Sequence, residues 1–170
     1  MALHEQSVGN SDEWYTPAYV FYALGVAFDM DVSAPPGGAP FVPASSYLTK
    51  ADDGLTADWR GFVWMNPPFG GRNGITPWLD RFFTHGNGIA LTPDRTSAPW
   101  WQDYAKKAEA LLFVRKKIRF FRPDLTEGKS PAQGTTLMAL GVTAVDALKR
   151  AEATGLGLVV RPNTIERIAA

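Results

Sequence analysis

The chain has 170 residues, with 45% hydrophobic and 20% charged residues, which is the size and balance of one ordinary globular domain. Seventeen basic and seventeen acidic residues cancel, and no stretch reaches the roughly 18 apolar residues needed to cross a bilayer. Cysteine is absent and there are only two histidines, His4 and His85, which excludes disulfides, thiolate nucleophiles and Cys-ligated zinc. The first ten residues lack the apolar stretch of a secretory signal, so a cytoplasmic protein with no membrane partner is expected.

Residues 1–11 are expected to be flexible. Thr16-Pro17 has the form of a helix start, with Thr at the N-cap and Pro in the first turn, followed by an apolar run from Ala18 to Ala27. Phe28–Val32 reads as a short strand, and Pro35-Pro36-Gly37-Gly38 forces a turn after it. Phe62–Met65 is a second strand, stopped by Asn66-Pro67-Pro68, and its uninterrupted apolar character suits a strand buried on both faces. A helix over 75–85, a strand over 88–92 and a helix over 99–108 follow. Next come a strand over 110–114, a basic strand over 117–121 and a polar loop over 122–134. A strand over 135–142, a helix over 144–153 and a strand over 156–160 complete the pattern, leaving 161–170 as a tail.

Alternating strands and helices predict an α/β fold with a mostly parallel central sheet and helices on both faces. Residues 1–170 would then form one domain, with no separate target-recognition domain. Ligands of such sheets bind beyond the C-terminal ends of the strands. The strand ends at Asp31-Val32-Ser33-Ala34, Asn66-Pro67-Pro68-Phe69 and Thr92-Pro93-Asp94-Arg95 are expected to share one crevice.

The neutral total conceals a division of charge. Residues 1–58 carry eight acids and one base, whereas residues 106–122 carry seven bases and one acid. A basic segment in a neutral chain suits either a polyanion-contacting edge or a solvated face. Arg115, Lys116, Lys117 and Arg119 alternate there with apolar residues, and with Phe120 they form a candidate nucleic-acid contact. Arg95 could touch phosphate or pair with Asp94 or Asp103. Asp12-Glu13 and Asp52-Asp53 could be metal carboxylates, but nothing completes a ligand set, and cap or turn roles suit them better; no metal is expected.

Asn66-Pro67-Pro68-Phe69 carries the sharpest chemical signal. Methylating an amine whose lone pair is delocalised into an aromatic base requires acceptors that hold its hydrogens and draw nitrogen towards a nucleophilic form. Asn66 offers a side-chain carbonyl and Pro67 a backbone carbonyl. Two prolines fix φ and remove both N–H donors, so the surface presents acceptors only. Phe69 offers a flat face for an extruded base. The chemistry rests on positioning and on acceptors aimed at developing positive charge. The same motif could serve adenine N6, cytosine N4, an RNA base or a protein glutamine. A non-catalytic nucleic-acid binder on this fold is a further alternative.

The ordered motifs Asp12–Pro17, Phe28–Ala34, Asp52–Leu55, Asn66–Phe69, Trp100-Trp101, Ile118–Phe120 and Thr135–Leu140 resemble the DNA N-6-adenine methyltransferase (Dam) family typical of bacteriophages and prophages. The resemblance covers roughly residues 12–142. It implies a Rossmann-like methyltransferase fold, S-adenosyl-L-methionine as methyl donor, and adenine in double-stranded DNA, flipped from the helix, as acceptor. By the same resemblance Asn66, Pro67, Pro68 and Phe69 are catalytic. Tyr15, Thr16 and Pro17 hold the methionine end of the donor, together with Asp31, Ser33 and Ala34 at the end of the first strand. Asp53 reaches the donor's ribose or adenine. Two departures stand out: Phe69 occupies a position where the family often has Tyr, and the usual glycine-rich loop is replaced by Ser33-Ala34-Pro35-Pro36. With no segment expected for target recognition, sequence reading would fall to loops or to a homodimer partner, or would hardly occur at all.

Overall fold

The computed structural model describes residues 13–68 and 74–162. Eleven elements follow in chain order: α1 (Ala18–Leu24), β1 (Phe28–Asp31), β2 (Ala44–Tyr47), β3 (Val63–Met65), α2 (Thr76–His85), β4 (Gly88–Pro93), α3 (Pro99–Ala105), β5 (Ala110–Val114), β6 (Thr135–Leu140), α4 (Val142–Ala153) and β7 (Gly157–Val160). The expected tail begins with Arg161 and Pro162; its remainder, residues 1–11 and Phe69 lie outside the described residues.

The seven strands form one sheet in the order β2-β1-β3-β4-β6-β5-β7. The pairs β1–β2, β1–β3 and β3–β4 are parallel, whereas β4–β6, β5–β6 and β5–β7 are antiparallel. The fold is therefore α/β with a mixed sheet, and the expectation of a mostly parallel sheet holds for the β2-β1-β3-β4 half. The reason lies in the connections. β5 reaches β6 through residues 115–134, which contain no helix to carry the chain back to the starting edge, so β6 returns antiparallel.

Helices cover both faces. On one, Val20, Phe21 and Leu24 of α1 and Ala144, Val145, Leu148 and Ala151 of α4 pack on Trp64, Ile89, Leu112 and Leu137 of the sheet. On the other, Leu79 and Phe82 of α2 and Trp101 and Tyr104 of α3 pack on Val63, Met65, Ala90 and Met138. Strands β3 and β6 are buried along their whole length, because neighbouring side chains point into both cores.

Two local expectations are corrected, and one strand was not anticipated. α1 stops at Leu24 rather than Ala27, because Gly25 adopts a left-handed conformation (φ 62°) and its N–H closes on the Phe21 carbonyl, a glycine C-cap. Residues 117–121 form no strand. Among the described residues only Phe121 makes ladder contacts, as isolated bridges to Tyr15 and Glu127, while Lys117 and Arg119 stay exposed around buried Ile118. Strand β2 has no counterpart in the sequence reading, since Ala44-Ser45-Ser46-Tyr47 is an exposed edge with no apolar run.

Candidate active site

After β1 the chain passes to β2 on one side of it and then returns to β3 on the other. Such a reversal opens a crevice at the C-terminal ends of the two flanking strands. Asp31 ends β1, and Asn66 follows β3 directly.

The connection after β1 is held tightly. Val32 N–H donates to the Trp64 carbonyl (3.1 Å), Leu48 N–H to the Asp31 carbonyl (2.8 Å) and Ala34 N–H to the Leu48 carbonyl (2.8 Å). Ser33 therefore projects towards β3, where its Oγ accepts the backbone N–H of Asn66 at 3.2 Å. The Asn66 side chain is fixed from the opposite direction: its Nδ2 donates to Thr16 Oγ1 at 3.2 Å.

Asp31 is only 3% exposed. Its Oδ1 accepts the Ser33 N–H at 3.2 Å. Burial penalises the charged carboxylate more than that one bond favours it, and its pKa is pushed up to about 7. Among the described residues no cation pairs with this carboxylate.

Two adjoining cavities open on it, sharing Asp31, Ala39 and Val42. One, of about 200 Å³, runs between Gly37, Gly38, Ala44 and Tyr47. The other, of about 30 Å³, is bounded by Trp14, Tyr15, Thr16, Ser33, Pro35, Trp64 and Asn66. The wall of the larger cavity is a turn closed by Gly38 N–H on the Pro35 carbonyl (2.9 Å). Pro36 precedes Gly37 at φ 85°, the sequence a type II turn demands. A Cβ on Gly38 would lie 3.1 Å from the Tyr47 ring, so the ring can lie close over the turn only because residue 38 is glycine.

The far wall of the smaller cavity joins the basic segment. Tyr15 and Phe121 exchange both backbone hydrogen bonds at 2.9 Å, and the Phe121 ring meets Phe41 edge-on at 5.4 Å. Phe120 is half-buried against the core. Arg115, Lys116, Lys117 and Arg119 are exposed; Lys117 Nζ donates to the Ala132 carbonyl (2.8 Å), and Arg119 pairs with Glu127 at 3.5 Å.

Tyr15, Thr16, Asp31, Ser33 and Asn66 thus line one crevice, with Pro17 and Ala34 buried beside it. Pro67 is buried and Pro68 exposed as they leave it. Two expected members do not line these cavities. Asp53 lines neither cavity; it is exposed at φ 52°, with its carboxylate accepting from Leu55 N–H (3.2 Å) and Thr56 Oγ1 (3.0 Å). It closes the turn that leads into Gly54, as Asp52 closes one at Thr49. The end of β4 is also absent from the crevice walls. Asp94 bonds to the Thr136 hydroxyl and its N–H to the Gly134 carbonyl, while Arg95 Nε donates to Gln133 Oε1 at 3.3 Å. Of the adjacent tryptophans, Trp101 is buried and stacked on Phe113, and Trp100 is half-buried beside it. Tyr47 and the Gly37-Gly38 turn were not among the sequence candidates. The Pro-Pro-Gly-Gly run marked that turn, but no apolar pattern announced the strand that carries Tyr47.

Among the described residues there is no cluster of three metal-ligating side chains and no helix long and apolar enough to cross a membrane. The model of the DNA N-6-adenine-methyltransferase (Dam) family matches residues 5–153. No curated protein and no solved structure matches the chain.

Proposed function

The chain belongs to the DNA N-6-adenine-methyltransferase (Dam) family, whose reaction is methyl transfer to N6 of adenine in DNA, and from that premise we propose that the crevice between the ends of β1 and β3 is its active site. The observation that carries the reading is the convergence of Asp31, Ser33, Thr16 and Asn66 where the strand order reverses between β1 and β3.

Methyltransferases generally take the methyl from S-adenosyl-L-methionine, and the residues present fit that donor. Asp31 is a buried carboxylate in need of a cation, and an amino-acid ammonium is one. The larger cavity, with a glycine turn on one side and the half-exposed Tyr47 ring on another, suits a flat nucleoside. When bound, the donor supplies a methyl group activated on a sulfonium, so no strong base or metal is required of the chain.

The chain's own work is to hold the amine. The Asn66 side-chain carbonyl and the Pro67 backbone carbonyl each accept one N–H, which withdraws the nitrogen lone pair from the adenine ring. As positive charge develops on nitrogen in the transition state, both acceptors bind more strongly than in the ground state. One proton leaves as the N–C bond forms. Neither an amide nor a peptide carbonyl retains a proton at neutral pH, so it passes to water.

Adenine N6 inside a duplex is out of reach of a crevice this deep, so the base is extruded, with Phe69 as its stacking partner. Arg115, Lys116, Lys117, Arg119 and Arg95 supply phosphate contacts, and two chains acting as a homodimer would extend the surface that grips the duplex.

The test is transfer of a radiolabelled methyl from S-adenosyl-L-methionine to duplex DNA, followed by nuclease digestion. Label in N6-methyladenine is the expected result. Absence of label from DNA under conditions where the chain is folded would overturn the assignment of donor and site.

A further inference from the structure

Thr16 stands where an N-cap is expected, yet it caps nothing. α1 begins at Ala18, Pro17 holds the N-cap position, and no side-chain cap bond is made. The Thr16 side chain is nevertheless almost wholly buried, at 2% exposure, and its Oγ1 accepts the Asn66 Nδ2–H at 3.2 Å. We infer that Thr16 is the positioning residue that anchors the Asn66 amide by its NH₂ end and so leaves Oδ1 free for the substrate amine, a role additional to any contact with the methyl donor. The inference rests on the proposed reading of Asn66.

The need for such a residue follows from the amide itself. Its oxygen and NH₂ ends are nearly equal in size, so packing alone does not choose between them; hydrogen bonding does. The adenine amine offers donors to its acceptors. An Asn66 turned with NH₂ towards it would set donor against donor and leave nothing to draw the nitrogen out of conjugation. Thr16 Oγ1 takes the NH₂ end, which leaves Oδ1 free for the amine; because a hydroxyl can also donate, the amine's own donors complete the choice of end while Thr16 fixes the place of the amide. Ser33 Oγ holds the same residue by its backbone N–H, and the paired Tyr15–Phe121 backbone bonds keep the segment carrying Thr16 in place. Asn66 is thus gripped at two points by chain segments 33 and 50 positions away.

Thr16→Val keeps the shape and removes the acceptor; Thr16→Ser keeps the acceptor. The effect on turnover is read from kcat with saturating donor and DNA, and donor affinity is measured separately by calorimetry with S-adenosylhomocysteine. A third readout needs neither ligand. The chain has five asparagines, so the Asn66 side-chain NH₂ signal of ¹⁵N-asparagine-labelled protein is assigned by its loss in Asn66→Ala. Thr16→Val is expected to lower kcat about ten- to a hundredfold, the scale of a misplaced catalytic group. It should also shift the Asn66 NH₂ signal while changing donor affinity by no more than about threefold. Thr16→Ser should recover both kcat and the signal. If Thr16→Val keeps wild-type kcat and signal while Asn66→Ala is inactive, the orienting role is overturned and the reading of Asn66 survives. A loss confined to donor affinity overturns it equally, placing Thr16 in the donor site alone. Full activity in Asn66→Ala would remove the reading of Asn66 and this inference together.

Discussion

Asn66→Ala is expected to lower kcat for adenine methylation by about 10²–10³-fold, the loss typical of deleting one pre-positioned hydrogen-bonding group that acts in the transition state. The fold should survive. Asn66 is half-buried at the rim of the crevice rather than in either core, and its backbone bond to Ser33 Oγ does not depend on its side chain. The expected pattern is a fall in kcat and in kcat/KM together, with donor affinity and melting temperature near wild type, because the amide acts on the amine and not on the donor. Steady-state kinetics on a duplex with a single target adenine, beside circular dichroism, separate that pattern from simple unfolding.

Asp31→Asn is expected to have the second large effect, on donor affinity. Removing one partner of a buried charge pair typically costs about 2–5 kcal/mol of binding, which is a loss of roughly thirtyfold or more in Kd. The pH dependence gives this prediction a distinctive form. In the folded protein the Asp31 carboxyl is pushed up to about 7 by burial, against 3.8 for an unhindered carboxyl. Between those values the unfolded chain releases the proton and the folded chain keeps it, so the contribution of Asp31 to stability falls as pH rises from about 4 to 7 and is constant outside that window. A bound ammonium reverses the preference by favouring the carboxylate. Donor binding should therefore release a proton below pH 7, and affinity should rise with pH between about 5.5 and 7, below the range in which an α-amino group titrates. Asp31→Asn should abolish both the proton release and the slope, and should remove the fall in stability that Asp31 contributes between about pH 4 and 7. Calorimetry in buffers of differing ionisation enthalpy measures the release directly.

Much of this arrangement could be read before any coordinates. The buried strands were visible because both of their faces meet a core, so Val63-Trp64-Met65 and Ile89-Ala90-Leu91 appear as unbroken apolar runs. The stop after β3 was equally plain, since two consecutive prolines admit no ladder. Where sequence reading failed, two roles competed for one residue. Thr16 has the chemistry of an N-cap, and only the long-range contact with Asn66 shows that its hydroxyl is engaged elsewhere. Asp53, expected at the donor's ribose or adenine, is a different case: its exposed carboxylate closes a turn through local hydrogen bonds and lines neither cavity. Residues 117–121 alternate polar and apolar like a strand, yet the sheet edge beside β5 is taken by β7, and Phe121 bridges instead to Tyr15 and Glu127. Tyr47 was illegible for the converse reason. Among the described residues its strand pairs with β1 alone, and an edge strand facing water needs no hydrophobic signature.

The crystal structure of the protein bound to S-adenosylhomocysteine bears most directly on the shared crevice. The donor's amino group is expected on the Asp31 carboxylate, its adenine between Tyr47 and the Gly37-Gly38 turn, and its sulfur opening towards Asn66. A donor product bound away from Asp31, or with its sulfur turned from the end of β3, would contradict a single crevice that serves both methyl and amine.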